Sequence, residues 1–295
     1  MNRFDFGTLV SSLRLELGWT QSELSEQTDL PLAVISNVER GERRGLLKDN
    51  ILIKLARGLQ LTTLERREFI LAASGLGENN NEEPEDNPKI SNMEIEALVN
   101  DLAERVGYLA MPCIVTDAYC DLIMINNSAQ LYYHPTQSML KVDPGQVGAY
   151  NQMRYVFHAD SPFRELQGPD WEKASIATLR FFRRRTMRVR ATRYFSDLMA
   201  HFRNEEEYPY FNRFYKRMLF DLQDDYFHEI QIPRDEKQFL YTDLSTLLAS
   251  TPAGELYLHY QAPLNKHTAD VFADLYRQAG VGVVRYSQFP DPRKN

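Results

Sequence analysis

Between Pro31 and Arg40 the sequence carries the side chains best suited to touching another molecule. Ile35 and Val38, three apart, share one side of a helix, which turns Leu32, Ala33, Ser36, Asn37 and Arg40 outward. A helix lying in the major groove of DNA needs that division: an aliphatic stripe against its neighbour and a polar or small face toward base edges. Arg43, Arg44 and Lys48 follow, with Glu42 the one acid within the basic group that begins at Arg40. The bland alternative is a helical bundle used for protein contact. Farther on, Arg180 to Arg193 holds seven arginines in fourteen positions. Such a run reads as a solvated helix face, as a phosphate-contacting surface, or as a clamp for a carboxylate, whose geometry the guanidinium fork matches. The sequence leaves these three open.

Other chemistry finds little footing. The six histidines (His134, His158, His201, His228, His259 and His267) fall in no H-E-x-x-H or comparable metal spacing. There is no G-x-S-x-G, no P-loop and no G-x-G-x-x-G, so no catalytic residue, metal ligand or cofactor site is expected. Cys113 and Cys120 read as core packing, and a reducing, cytoplasmic setting is expected from so few cysteines. No basic start with an apolar segment and no run of about 20 apolar residues occurs, so neither a leader nor a membrane span is expected.

The elements that must hold the outward face are short helices. Phe6, Leu9, Val10, Leu13 and Leu17 recur at helical spacing until Gly18, and T-Q-S-E at Thr20 to Glu23 predicts a capping box for the next helix. Pro31 sits in the first turn of the third helix. Two more helices run through Ile51 to Leu59 and Leu64 to Leu71. Residues 1–76 are thus expected to form a five-helix domain, with ten Lys/Arg balancing ten Asp/Glu although the whole chain is at -7. Residues 77–91 read as an acidic linker, since Glu78 to Asp86 holds five acids and no base.

Beyond it, residues 92–295 mix helix and strand, which makes the chain α+β. Ile95, Leu98, Leu102 and Val106 predict a helix, and Cys113 to Asp117 with Leu122 to Asn126 predicts a hairpin. A helical stretch including Trp171 to Arg185 and Phe195 to Phe202 follows, then strands over Tyr226 to Ile232, Phe239 to Leu248 and Glu255 to Gln261. Two strands, a helical insertion and three strands is the order of a PAS-like antiparallel sheet with helices on one face.

Two resemblances sharpen these readings. Arg14, Gly18, Thr20-Gln21, Leu24, Ile35, Val38, Glu39 and Gly41, at their offsets, resemble the lambda-repressor-like (XRE-type) helix-turn-helix family over residues 6 to 75. That resemblance implies double-stranded DNA as partner, with Leu32, Ala33 and Asn37 at the base edges and Asn37 able to pair bidentately with adenine. It further implies Gln21, Arg40, Arg43 and Arg44 at phosphate, and an Arg14–Glu39 pair tying the first helix to the end of the third. Leu32 and Ala33 stand where polar readers are commoner, which shifts weight toward shape readout.

The second resemblance rests on P-C-I-V-T-D-x-x-C-D-L-I-M-I-N (Pro112 to Asn126), N-Q-M-R-Y-V-F (Asn151 to Phe157) and D-W-E-K-A-S-I-A-T-L-R (Asp170 to Arg180). In that order they are similar to the ligand-binding domain of MmyB-like transcription regulators. This implies a PAS-like fold with an apolar cavity for a fatty-acid-like molecule. Arg154 and Arg180, within those motifs, become the candidates for an acidic head group, and Phe157, Trp171 and Tyr257 candidates for the wall. Any one aromatic at helical spacing reads more readily as core than as wall. The expected whole is a homodimeric regulator whose ligand resets two DNA-reading heads; the alternative gives the second domain a peptide or protein partner.

Overall fold

The computed structural model describes residues 3–42, 47–74, 91–133, 141–220, 229–232 and 239–294. The chain divides into two units, one of Met1–Pro88 with Arg183–Ser196 and Lys216–Asp224, the other of Lys89–Phe182, Asp197–Tyr215 and Asp225–Asn295.

In the first unit the described residues give α1 (Arg3–Glu16), α2 (Gln21–Thr28), α3 (Leu32–Glu39), α4 (Asp49–Gly58) and α5 (Thr63–Ser74). Their starts and stops follow the local chemistry. Gly18 takes a positive φ of 75° past the end of α1. Thr20 accepts from the Glu23 amide while Glu23 reaches back, the predicted capping box. Phe6, Leu9, Leu13, Leu24, Ile35, Leu55 and Phe69 are fully buried in one core. Gly7 is needed by proximity: a Cβ there would lie 2.4 Å from the Glu39 carbonyl oxygen, so α1 can only cross α3 this closely without a side chain.

The second unit is built on a sheet. Among the described residues it contains α6 (Asn92–Gly107), β1 (Cys113–Asp117), β2 (Leu122–Asn126), α7 (Asn127–Tyr133), α8 (Gln152–Phe157) and α9 (Phe163–Gln167). Next come α10 (Trp171–Arg185), α11 (Arg193–Phe202) and α12 (Phe211–Phe220), parts of which fall in the first unit, then β3 (Glu229–Ile232), β4 (Phe239–Thr251), β5 (Gly254–Pro263), α13 (Lys266–Ala279) and β6 (Val283–Arg285). The sheet order is β3-β4-β5-β1-β2-β6, every pair antiparallel. That is the expected PAS-like sheet with one short strand added beside β2. The helix α13 and β6 carried no clear signal in the sequence. Residues 226–228 of the expected first late strand lie outside the described residues.

Strand alternation sorts the sheet into two faces. Cys113, Val115, Met124 and Leu256 pack with Ile95, Val99, Leu102 and Val106 of α6, so one face is sealed by that helix. The sequence reading put helices on one face only; α6 covers the second because its apolar stripe matches these strands. On the opposite face Tyr241, Asp243, Ser245, Gln261, His259, Tyr257, Ile114 and Thr116 are cross-strand neighbours. Tyr133 of α7 and Phe181 of α10 come down onto it.

Candidate DNA-reading face and ligand site

The third helix divides as its spacing requires. Ile35 and Val38 are buried, whereas Leu32 is 49% exposed and Ala33 and Asn37 are exposed. Ser36 is half-buried. Arg14 grips Glu39 through two bonds, Nε to Oε1 at 2.7 Å and Nη2 to Oε2 at 2.9 Å. A bidentate pair of this kind fixes the end of α3 against α1. Gln21 Nε2 donates to Glu39 Oε2 at 2.8 Å, so in this protein Gln21 joins that clasp. Arg40 Nη2 donates to Asn37 Oδ1 at 2.9 Å and lies 3.0 Å from Glu42, on a surface where both charged side chains are more than half exposed. Solvent-exposed pairs hold weakly. Asn37 and Arg40 therefore remain available to a partner. Arg43 and Arg44 lie outside the described residues.

The arginine run divides: Arg188 and Arg193 are exposed, whereas Arg183 and Arg190 are buried. Met187 belongs to the first unit's core, and Arg183 and Arg190 point at carboxylates of α1 and α5. Arg183 pairs with Glu65 and, at 3.3 Å, with Glu16; Arg190 pairs with the other oxygen of Glu16. Each of these four side chains is 5% exposed or less. Arg188 approaches Glu68 at 3.8 Å nearer the surface. A buried guanidinium needs its carboxylate, and here the protein supplies both.

In the second unit most polar residues of the family-like motifs hold the backbone. Asn126, 1% exposed, accepts from the amides of Cys113 and Ala129 and donates to the carbonyls of Leu109 and Met111. Asp117 Oδ1 takes the amides of Tyr119 and Asp121, closing the β1–β2 turn. Asn151 Nδ2 donates to Asp121 Oδ1 at 2.7 Å, which ties two of the motifs together. Lys294 sits 2.5 Å from Asp117 and 2.6 Å from Asp121. Burial still pushes the Asp117 carboxyl up to about 6, with Lys294 opposing it. Cys113 and Cys120 are free and buried, and burial pushes the Cys113 thiol up to about 12. Core packing explains both.

Arg154 stands apart. It is 7% exposed, donates from Nη1 to the Tyr208 hydroxyl at 3.2 Å, and leaves Nε without a partner. No carboxylate forms an ion pair with it among the described residues. Tyr208 also hydrogen-bonds His201 Nε2 at 2.8 Å. Burial, then the Arg154 charge, lowers His158; burial also lowers His201, with Glu207 pulling both upward. The Tyr208 phenol is pushed up to about 12 by burial. The cluster thus sets a buried cation beside a phenol and two histidines of lowered basicity, with Glu207 acting on all three.

The other sequence candidates divide. Phe157 is 1% exposed and stacks edge-on against Phe211 and Phe214. Trp171, 8% exposed, lies against Tyr210 and Phe214 with the Arg164 guanidinium 5.1 Å from its ring centre. Both pack as core. Arg180 is half-buried on α10. Tyr257 bonds Glu255 and lies on the sheet face that carries Gln261 and Asp243. Those last two were not anticipated. Their only signal was period-two alternation in the two longest strands.

Among the described residues no cluster of His, Cys, Asp and Glu could hold a metal ion, and no helix is long and apolar enough to cross a membrane. Comparison with known families finds a helix-turn-helix model matching residues 10–66 and the MmyB-like transcription regulator ligand binding domain matching residues 107–275. No curated protein matches the chain.

Proposed function

The chain belongs to the MmyB-like transcription regulators, with a helix-turn-helix DNA-binding region ahead of a ligand-binding domain, and from that premise we propose that it is a homodimeric switch governed by a fatty-acid-like ligand. The head reads double-stranded DNA in the cytoplasm through α3, with Leu32, Ala33 and Asn37 toward base edges and Ser36 beside them. Arg40, together with Arg43 and Arg44, contacts phosphate. Two heads related by two-fold symmetry call for a pseudo-palindromic operator with half-sites about one helical turn, or a multiple, apart. The second domain does no chemistry on its ligand; occupancy shifts the balance between arrangements of the heads, which requires the ligand to prefer one of them.

The observation that carries the ligand reading is Arg154: a buried guanidinium whose Nε has no partner, and which forms no ion pair, among the described residues. Leaving such a charge uncompensated is costly, and a carboxylate supplied from outside would remove that cost. A fatty acid brings that carboxylate on an apolar chain. Native mass spectrometry of the purified full chain tests the reading. The expected result is a lipid-sized adduct, or, after delipidation, saturable uptake of dodecanoate that Arg154→Gln weakens. An absence of both, with capture of a peptide instead, would move the domain to the peptide-binding alternative.

A further inference from the structure

Asp243 and Gln261 face each other across β4 and β5, at the point where α7 lowers Tyr133 onto the sheet. Gln261 is 2% exposed, its Nε2 donates to the Tyr133 hydroxyl at 2.7 Å, and across the strands its side chain holds the Asp243 carboxyl down. Its Oε1, buried, has no partner among the described residues. Asp243 behaves as two things at once. It is deep enough for burial to push its carboxyl up to about 7, against the opposing bond from Gln261. Its side chain is nevertheless exposed, as is that of Ser245 two residues along the same face. A group both deep and accessible lines a cleft or cavity.

No lysine or arginine among the described residues pairs with Asp243. Among the described residues the titratable groups acting with it are Tyr133 of α7 and Tyr241 of β4, the latter bonded to Tyr132, with His259 and Tyr257 of β5 on the same sheet face. The Tyr133 and Tyr241 phenols are held well above their ordinary range by burial, so they stay neutral. Elsewhere this domain neutralises its buried acids: Asp117 and Asp121 share Lys294. At Asp243 it leaves one anionic acceptor, one orphaned amide acceptor and aromatic walls.

We infer that the Asp243–Gln261–Tyr133 cluster is a binding site for the primary ammonium group of a small amphiphilic molecule, the cation resting on Asp243 and donating to Gln261 Oε1. The site goes beyond the acid reading at Arg154 and does not depend on it. A carboxylate head is disfavoured here, since it would face a carboxyl with no cation between them. Binding releases the proton from Asp243, so affinity rises with pH as that group ionises.

Isothermal titration of the delipidated full chain with dodecylamine, dodecanol, dodecyltrimethylammonium and dodecanoate reads the site directly. Dodecylamine should bind about tenfold tighter at pH 8 than at pH 6, tighter than dodecanol and tighter than dodecyltrimethylammonium, which has no N–H for Gln261. Asp243→Asn should abolish both the preference and the pH dependence, and Arg154→Gln should leave them in place. Thermal melting of each variant confirms that it is folded, and Gln261→Leu should weaken the amine while narrowing its lead over the trimethyl compound. Equal affinity of dodecylamine for the protein and for a folded Asp243→Asn variant would overturn the inference, as would dodecanol or the trimethyl compound binding as tightly as the amine. Loss of dodecanoate binding alone would strike the acid reading and leave this one standing.

Discussion

Among the described residues the first unit buries arginines beside carboxylates, and the second buries Arg154 with no carboxylate in an ion pair. Arg14 has Glu39, Arg183 has Glu16 and Glu65, and Arg190 has Glu16. Arg154 has a phenol and two weakly basic histidines around it. The second unit is not generally careless of charge, since Lys294 answers Asp117 and Asp121. The contrast teaches how to sort buried charges. Those matched inside the fold read as scaffold, and those left unmatched are where the proposed ligand contacts are to be tested. Arg40 is a third case, matched but exposed, so its pair with Glu42 holds it only weakly.

The largest effect should come from breaking a matched set. Glu16→Ala removes a carboxylate that both Arg183 and Arg190 pair with, in a site where their side chains are 5% and 0% exposed. Removing one member of a buried pair costs about 3–5 kcal/mol. Urea unfolding of the full chain should register that loss. A change under about 1 kcal/mol would mean the arginines reach water, and the distinction between matched and unmatched would fail.

These pairs show why the sequence was legible in some places and opaque in others. The helix-turn-helix could be read because its signals are local: the Thr20–Glu23 box, the stop at Gly18, and Ile35 and Val38 one turn apart. The hairpin Cys113 to Asn126 was equally local. The arginine run was opaque because its partners are distant, 167 residues separating Arg183 from Glu16 and 118 separating it from Glu65. A helix face bound for solvent and one bound for remote carboxylates have the same composition. Phe157 and Trp171 could not be sorted into wall or core from the sequence for the same reason, since an aromatic at helical spacing looks identical in core and in cavity. Asp243 was on the page as one polar residue in an alternating strand; only the pairing with Gln261 and the depth of the site set it apart.

On the DNA-reading face the exposed pair and the reader can be separated. Asn37→Ala should cost about 1–3 kcal/mol at a single base position. Arg40→Ala should weaken every sequence alike and lower the salt slope by about one, with little change in stability because its ion pair is solvent-exposed. Binding of a randomised duplex library at two salt concentrations measures both. If both variants lose the same position-specific contribution, Asn37 Oδ1 and Arg40, already bonded at 2.9 Å, act as one unit and the sorting needs refinement.

The unmatched arginine makes the opposite demand from Glu16. Arg154→Met removes a buried charge that no carboxylate answers, so stability should hold or rise, while dodecanoate affinity falls at least about tenfold, or about 1.4 kcal/mol. Urea unfolding and calorimetric titration on one preparation give both numbers. A stability loss as large as that of Glu16→Ala would show that Arg154 is matched after all.

The smallest effect is a slope. Asp243 has a folded-state value of about 7, above the ordinary 3.8 of an unfolded chain. The folded protein therefore binds more protons than the unfolded one across that interval, and stability contributed by the neutral acid is lost as pH rises from near 4 through 7. Asp117, raised to about 6, adds a loss of the same sign over a narrower window. Asp243→Asn removes the first contribution and leaves the second, so its melting temperature should decline less between pH 5 and pH 8 than that of the unaltered chain. Saturating dodecylamine should flatten the slope of the unaltered chain in the same way, since an ammonium ion lets Asp243 ionise at no cost to the fold. Parallel slopes for the two proteins without ligand would place Asp243 in contact with bulk water, and the unmatched acid would lose its meaning as a site.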